Sequence, residues 1–404
     1  MRVLNRFVAM WRLGFFFHEM AFGLLSIFLP LYIVSIEGSL VQVGIMSATA
    51  LVLAIPASFF WGYLCDKTRR YKRYILISFL SSTVILFFFT LTTTIGFLIM
   101  LYAVMSIFHV AHEAPKNVLI AEFYTRKEWE KSFAFYEGFT ETGWLIGLLL
   151  GFLTSTYSVA PACILLLCSG LNLAAFIISL FLVTDPLLIF ERSLVNIEKA
   201  VGFAHEGVMV ATKILDGLFL DERLKKENQY AFFAGLVLFS LATSMLFTPL
   251  PVFFSRDLAF STSVVFVVYA LNSAAGVTGY FLAGGRLNIG AGKSALSKIV
   301  MFRSMLAFSL FLLIWMPPYT LPLATLILVL MGFAYALFLV FTLSLSMELM
   351  PQGKTGLFNV LIGLGGAGGS FIGPFLAETF GFTWVFLVAG LIFLFASIAF
   401  KVFA

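Results

Sequence analysis

The chain has 404 residues, of which 61% are hydrophobic and 11% charged, with a formal net charge of +5. A soluble domain carries about 45–50% apolar and about 25% charged residues, so this composition excludes a soluble globular protein and requires lipid as the main solvent. The apolar runs are continuous beyond about 18 residues rather than alternating, which excludes a membrane β-barrel and predicts an all-α membrane protein.

The chain opens with the basic stretch "MRVLNRFVAMWRLG". The apolar run after it extends to Ile36, longer than a signal peptide's core and without a small-residue cleavage site, so it reads as a retained first span. Twelve spans follow in order: 12–36, 41–64, 74–93, 95–121, 132–156, 160–184, 230–254, 263–285, 296–316, 319–348, 355–379 and 383–402. Alternate connections collect the basic residues, from Arg2, Arg6 and Arg12 at the start to Lys401 at the end. In all, 22 of the 25 Lys and Arg fall on one side, and the opposite side holds only Arg256. That asymmetry places both termini in the cytoplasm of a multi-pass cell-membrane protein. Residues 1–184 form an N-terminal six-helix bundle, residues 185–229 a cytoplasmic amphipathic linker and residues 230–404 a C-terminal six-helix bundle. In the linker, Leu194, Ile197, Val201, Ala204 and Val208 recur at helical spacing. Three cysteines, two of them within one span, give no disulfide framework.

The halves resemble each other. Pro30-Leu31 returns as Pro249-Leu250, 219 positions later, and Gly143, Gly147 and Gly151 return as Gly365, Gly369 and Gly373, 222 positions later. Small residues at four-residue spacing let helix backbones approach closely in lipid. These six are expected to pack helices; whether the bundles also rock about those contacts stays open.

At "WGYLCDKTRRYKR" the sequence resembles the major facilitator superfamily. Gly62, Asp66, Lys67 and Arg70 match its cytoplasmic signature between the second and third spans, with Arg69 where a glycine is usual. The corresponding stretch of the second half keeps Gly279 and Arg286 but lacks the Asp. The resemblance implies two pseudo-symmetric six-helix bundles, alternating access, and a central cavity lined by the first, fourth, seventh and tenth spans. It also implies that Asp66 meets the N-terminus of the eleventh span as a cytoplasmic gate, where a helix start favours an anion. The family's antiporter signature in the fifth span is incomplete, because Leu148 stands at its proline position.

Ionisable residues interrupt the first bundle. His18 and Glu19 sit about 9–10 Å along the first span, His112 and Glu113 about 14–15 Å from the end of the fourth, and Glu137 and Glu141 about 9–15 Å into the fifth. Buried charge is costly unless it faces a cavity or a partner, so these six are candidates for proton coupling. Glu137 and Glu141 alternatively pair with Lys116 or Arg126 as struts. His109 reads as a packing histidine. The second bundle offers Ser240, Thr243, Ser244, Asn272, Arg303, Tyr335 and Asn359 as substrate-cavity candidates. Arg303 either binds an anionic substrate or snorkels to the cytoplasmic face, and the second is favoured.

The His-Glu pairs are not a zinc-protease motif, since Phe22 and Lys116 stand where its second histidine belongs, and no phosphate-binding loop occurs. The expectation is therefore neither an enzyme nor a cofactor or metal protein. It is a monomeric secondary active transporter in contact with membrane lipid, without nucleic-acid partners. It moves a small organic, amphipathic molecule by alternating access with protons, in the export direction. The alternatives are a proton symporter or facilitator importing a metabolite, and a non-transporting membrane receptor or scaffold.

Overall fold

The computed structural model describes residues 10–123, 129–185, 229–286, 289–315, 319–349 and 356–403. The linker helix expected over 185–229 lies almost wholly outside them. Among the described residues every regular element is helical. The elements are α1 (Arg12–Ser35), α2 (Leu40–Thr68), α3 (Tyr71–Phe89), α4 (Ile95–His109, continuing as Glu113–Phe123), α5 (Trp129–Thr156) and α6 (Pro161–Leu182). They continue as α7 (Gln229–Phe247, then Leu250–Val252 and Phe253–Asp257), α8 (Thr262–Arg286), α9 (Ile289–Ser309, then Leu312–Trp315), α10 (Thr320–Leu349), α11 (Gly356–Phe380) and α12 (Phe382–Phe403). Eleven of these segments are long and apolar enough to cross a membrane. The exception is α5, whose first half carries Glu137, Thr140, Glu141 and Thr142.

Local chemistry sets the breaks. Ser39 caps α2 in a reciprocal box: its Oγ accepts from the Gln42 backbone N–H, and Gln42 Oε1 accepts from the Ser39 N–H. At the other end Arg69 closes the helix with φ 54°, the left-handed region that favours glycine. In α4, Pro115 has no N–H for the Ala111 carbonyl and its ring crowds that oxygen. The helix tightens into a 3-10 turn over Val110–His112 just ahead of it. Pro249 and Pro251 likewise interrupt α7, which ends in a π-helical turn over Phe253–Asp257.

Packing follows one scheme twice. In the first bundle α1 lies on α5 and α6, α3 on α6, and α2 on α4. In the second, α7 lies on α11 and α12, α9 on α12, and α8 on α10. The bundles meet along α2–α11 and α5–α8. Glycines allow the tightest crossings. A Cβ on Gly143 or Gly147 would strike the Phe16 or Met20 carbonyl oxygen of α1; one on Gly365, Gly369 or Gly373 would strike the Val237, Leu241 or Met245 carbonyl of α7. Gly151 breaks the correspondence, because it faces the Phe266 ring of α8 in the other bundle.

Candidate functional site

The 3-10 turn in α4 determines what its polar side chains meet. Residues three apart eclipse in such a turn, so His109 and His112 project together toward α1. There His18 is fully buried. Its Nδ1 lies 2.6 Å from Asn172 Oδ1 of α6, and its Nε2 lies 3.1 Å from His109 Nδ1. His112 Nδ1 lies 3.0 Å from Ser78 Oγ of α3, and its Nε2 lies 3.3 Å from Glu113 Oε1. The other Glu113 oxygen holds Lys116 Nζ at 2.6 Å. Phe15, Phe22 and Phe79 pack around these rings.

The remaining carboxylates of the first bundle gather beside that pair. Glu19 is half-buried, and the charges acting on it are those of Lys116, Glu113, Glu137 and Glu141. Among the described residues it has no hydrogen-bond or ion-pair partner of its own. Glu137 is half-buried and faces Lys116 and Glu113. Glu141 points across the bundle boundary, where Ser273 Oγ of α8 donates to its Oε1 at 2.5 Å. Lys116 pairs directly with Glu113 and Glu141 bonds Ser273, while Glu137 interacts with the Lys116 charge without a direct ion pair among the described residues. Arg126 lies outside the described residues.

The second bundle divides its candidates. Thr243 and Ser244 line a cavity of about 250 Å³ between the bundles, together with Ser26, Pro30, Ser47 and Tyr102. Ser240 is buried instead and donates to the Ile362 carbonyl of α11 at 2.6 Å. Asn272 donates to the Leu328 carbonyl of α10, also at 2.6 Å. Both contacts tie helices together. Arg303 does not snorkel. It is 1% exposed, within 5.0–5.8 Å of the Phe239, Phe247, Tyr335 and Phe393 ring centres, and Nη1 donates to the Met331 carbonyl at 3.2 Å. Its buried Nε and Nη2 have no hydrogen-bond partner among the described residues. A desolvated cation gains about 2 kcal/mol or more from an aromatic face, which offsets part of its burial cost. Tyr335 is 38% exposed beside it. The Asn359 side chain lies outside the described residues.

In the signature loop Gly62 is half-buried with open space around it, while Asp66, Lys67 and Arg70 are exposed. Lys67 Nζ lies 5.6 Å from the Tyr63 ring centre. The chain immediately before Gly356, which the gate expectation requires, is outside the described residues.

Sequence reasoning missed His109, Asn172, Ser78 and Ser273 as members of this arrangement. The available signals were His109 and His112 three apart ahead of Pro115, and a lone amide, Asn172, in an apolar helix.

The sequence model of the Major Facilitator Superfamily matches residues 13–359. Among curated proteins none matches the chain by sequence. Several solved structures are similar in fold. The human organic anion transporter MFSD10 is 16% identical at a TM-score of 0.67, with 98% of this chain and 99% of that chain covered. The nucleoside transporter NupG is 14% identical at 0.70, with 98% of each covered. A bacterial homolog of the human lysosomal transporter Spinster, inward-facing and unoccupied, is 13% identical at 0.68, with 99% and 97% covered. Twelve helices in two like bundles, and a family match over most of the length, make this chain a member of the Major Facilitator Superfamily of membrane transporters.

Proposed function

We propose that the protein is a monomeric, proton-coupled transporter of the cell membrane that exports a small, amphipathic organic solute by alternating access. The observation that carries this reading is the Glu113–Lys116 ion pair at 2.6 Å on α4, with Glu19 of α1 and Glu137 and Glu141 of α5 near enough for their charges to act on one another. Lys116 neutralises Glu113 directly, whereas Glu19 is left to be neutralised by a proton or by a cationic part of the solute. The cavity that Thr243 and Ser244 share with Ser26, Ser47, Tyr102 and the apolar Leu25, Leu29 and Met46 suits a ligand that is mostly apolar with a few polar groups. Arg303 adds two donor atoms that have no partner among the described residues, which supports a solute carrying a hydrogen-bond acceptor or negative charge. MFSD10, similar in fold, is an organic anion transporter.

The test is flux in proteoliposomes under an imposed pH gradient. Wild-type flux should follow the gradient. Glu19→Gln should lose that response while still exchanging solute down its own gradient, and Glu113→Gln should slow both. Indifference of the wild type and of Glu19→Gln to the gradient removes proton coupling. Import with the proton gradient is the second reading, supported by Leu148 at the antiporter proline position, and the sign of the flux decides it. Solute binding with no flux in either direction would indicate a non-transporting receptor.

A further inference from the structure

His18, His109 and His112 each offer one ring nitrogen within 4.8 Å of one from each of the others. The surrounding hydrogen bonds determine which nitrogens are free. Asn172 Nδ2 donates to the Cys168 carbonyl at 2.9 Å, so its Oδ1 is the atom facing His18. That oxygen accepts the proton of His18 Nδ1 and leaves the Nε2 lone pair bare. The single proton of Ser78 Oγ goes to the His109 carbonyl at 2.9 Å. Its oxygen therefore accepts from His112 Nδ1, and His112 Nε2 is bare as well. Two buried imidazoles are thus held in the tautomer a metal needs, each through its remote nitrogen, the usual outer support of a histidine ligand.

Distances agree. Ligands 2.0–2.1 Å from a tetrahedral metal lie about 3.3 Å from one another. His18 Nε2 and His109 Nδ1 are 3.1 Å apart, and His112 Nε2 and Glu113 Oε1 are 3.3 Å apart. The histidine nitrogens lie within 4.8 Å of one another, so the broadest separation requires closure by up to about 1.5 Å. Phe15, Phe22 and Phe79 form an apolar shell, and the half-buried His109 and partly accessible Glu113 give entry.

We propose that His18, His109 and His112 form a three-histidine binding site for a divalent transition metal of the zinc class, joining α1 to α4, with Glu113, now beside His112 alone, swinging in as fourth ligand. Imidazole with one carboxylate favours such ions over magnesium or calcium. Binding would draw one Glu113 oxygen to the metal and leave the other on Lys116, coupling metal occupancy to the charge cluster.

Cobalt(II) alone is the probe, added to chelator-treated, tag-free protein in detergent. The expected result is one cobalt per chain with the visible bands of tetrahedral coordination, displaced by zinc. His109→Gln, at the least buried of the three rings, should abolish the bands while the variant still elutes as folded protein. Asn172→Ala should weaken binding by about 10- to 100-fold. The proposal is overturned if wild-type protein gives no such bands, or if folded His109→Gln and Asn172→Ala bind cobalt as wild type does. In that event the three rings are a neutral network in which His109 Nδ1–H donates to His18 Nε2.

Discussion

Arg303 shows how a single side chain is both visible in a sequence and misplaced by it. A cation in an apolar helix is conspicuous, but snorkelling and burial look alike until the rings around it are known. Here four aromatic rings come from α7, α10 and α12, so the cage exists only in the folded bundle. Replacing a buried ion pair by apolar groups of similar volume is often neutral or stabilising by about 1–4 kcal/mol, and Arg303, with no ion pair among the described residues, carries its desolvation cost with even less offset. Arg303→Met should therefore melt at or above the wild-type temperature in detergent, yet lose transport if its free donors receive the solute. A large drop in melting temperature would show that the cage depends on the charge. The carboxylates were easier to read. Glu19 and Glu113 stand out because buried charge is rare in lipid, whereas His109 looked inert because its partner His18 lies 91 positions away.

At the scale of elements, apolar runs and basic loops delivered all twelve helices, since length and polarity are local properties. The four-residue glycine spacing marked close helix packing but not the partners, which the structure shows to be α1 on α5 and α7 on α11. Which helices meet between the bundles was not legible, and Gly151 shows why: it shares its offset with Gly373 but faces Phe266 of the other bundle rather than its own. The glycines make a graded prediction. Gly147→Ala would drive a methyl into the Met20 carbonyl and should destabilise the fold by about 1–3 kcal/mol, as overpacking does. Gly170→Ala in α6 meets open space and should be neutral, or stabilising by up to about 1 kcal/mol through helix propensity. Thermal unfolding of both variants in one detergent checks the contrast. Equal melting temperatures would mean that α1 and α5 separate at little cost.

For the whole molecule, the consequential feature is that α5 and α8 touch along much of their length. Gly138 lies against Phe281, Glu141 against Ser273, and Ser263 Oγ donates to Ser155 Oγ at 3.2 Å near the Thr156 end. Alternating access requires each end of this seam to part in turn, and the polar Ser155–Ser263 contact is the one a solvent-filled opening would replace at least cost. Two side chains whose Oγ atoms are in hydrogen-bond contact are close enough to try as a cysteine cross-link. The native cysteines interfere little, since Cys65 and Cys168 are buried and the exposed Cys163 can be changed to serine. In that background, oxidising a Ser155→Cys, Ser263→Cys pair should arrest solute flux in proteoliposomes, and reduction should restore it, with either single variant unaffected by oxidant. Flux that continues at the unlinked rate after complete cross-linking would show that this end of the seam stays closed throughout the cycle, and the moving boundary would then have to be sought along α2 and α11.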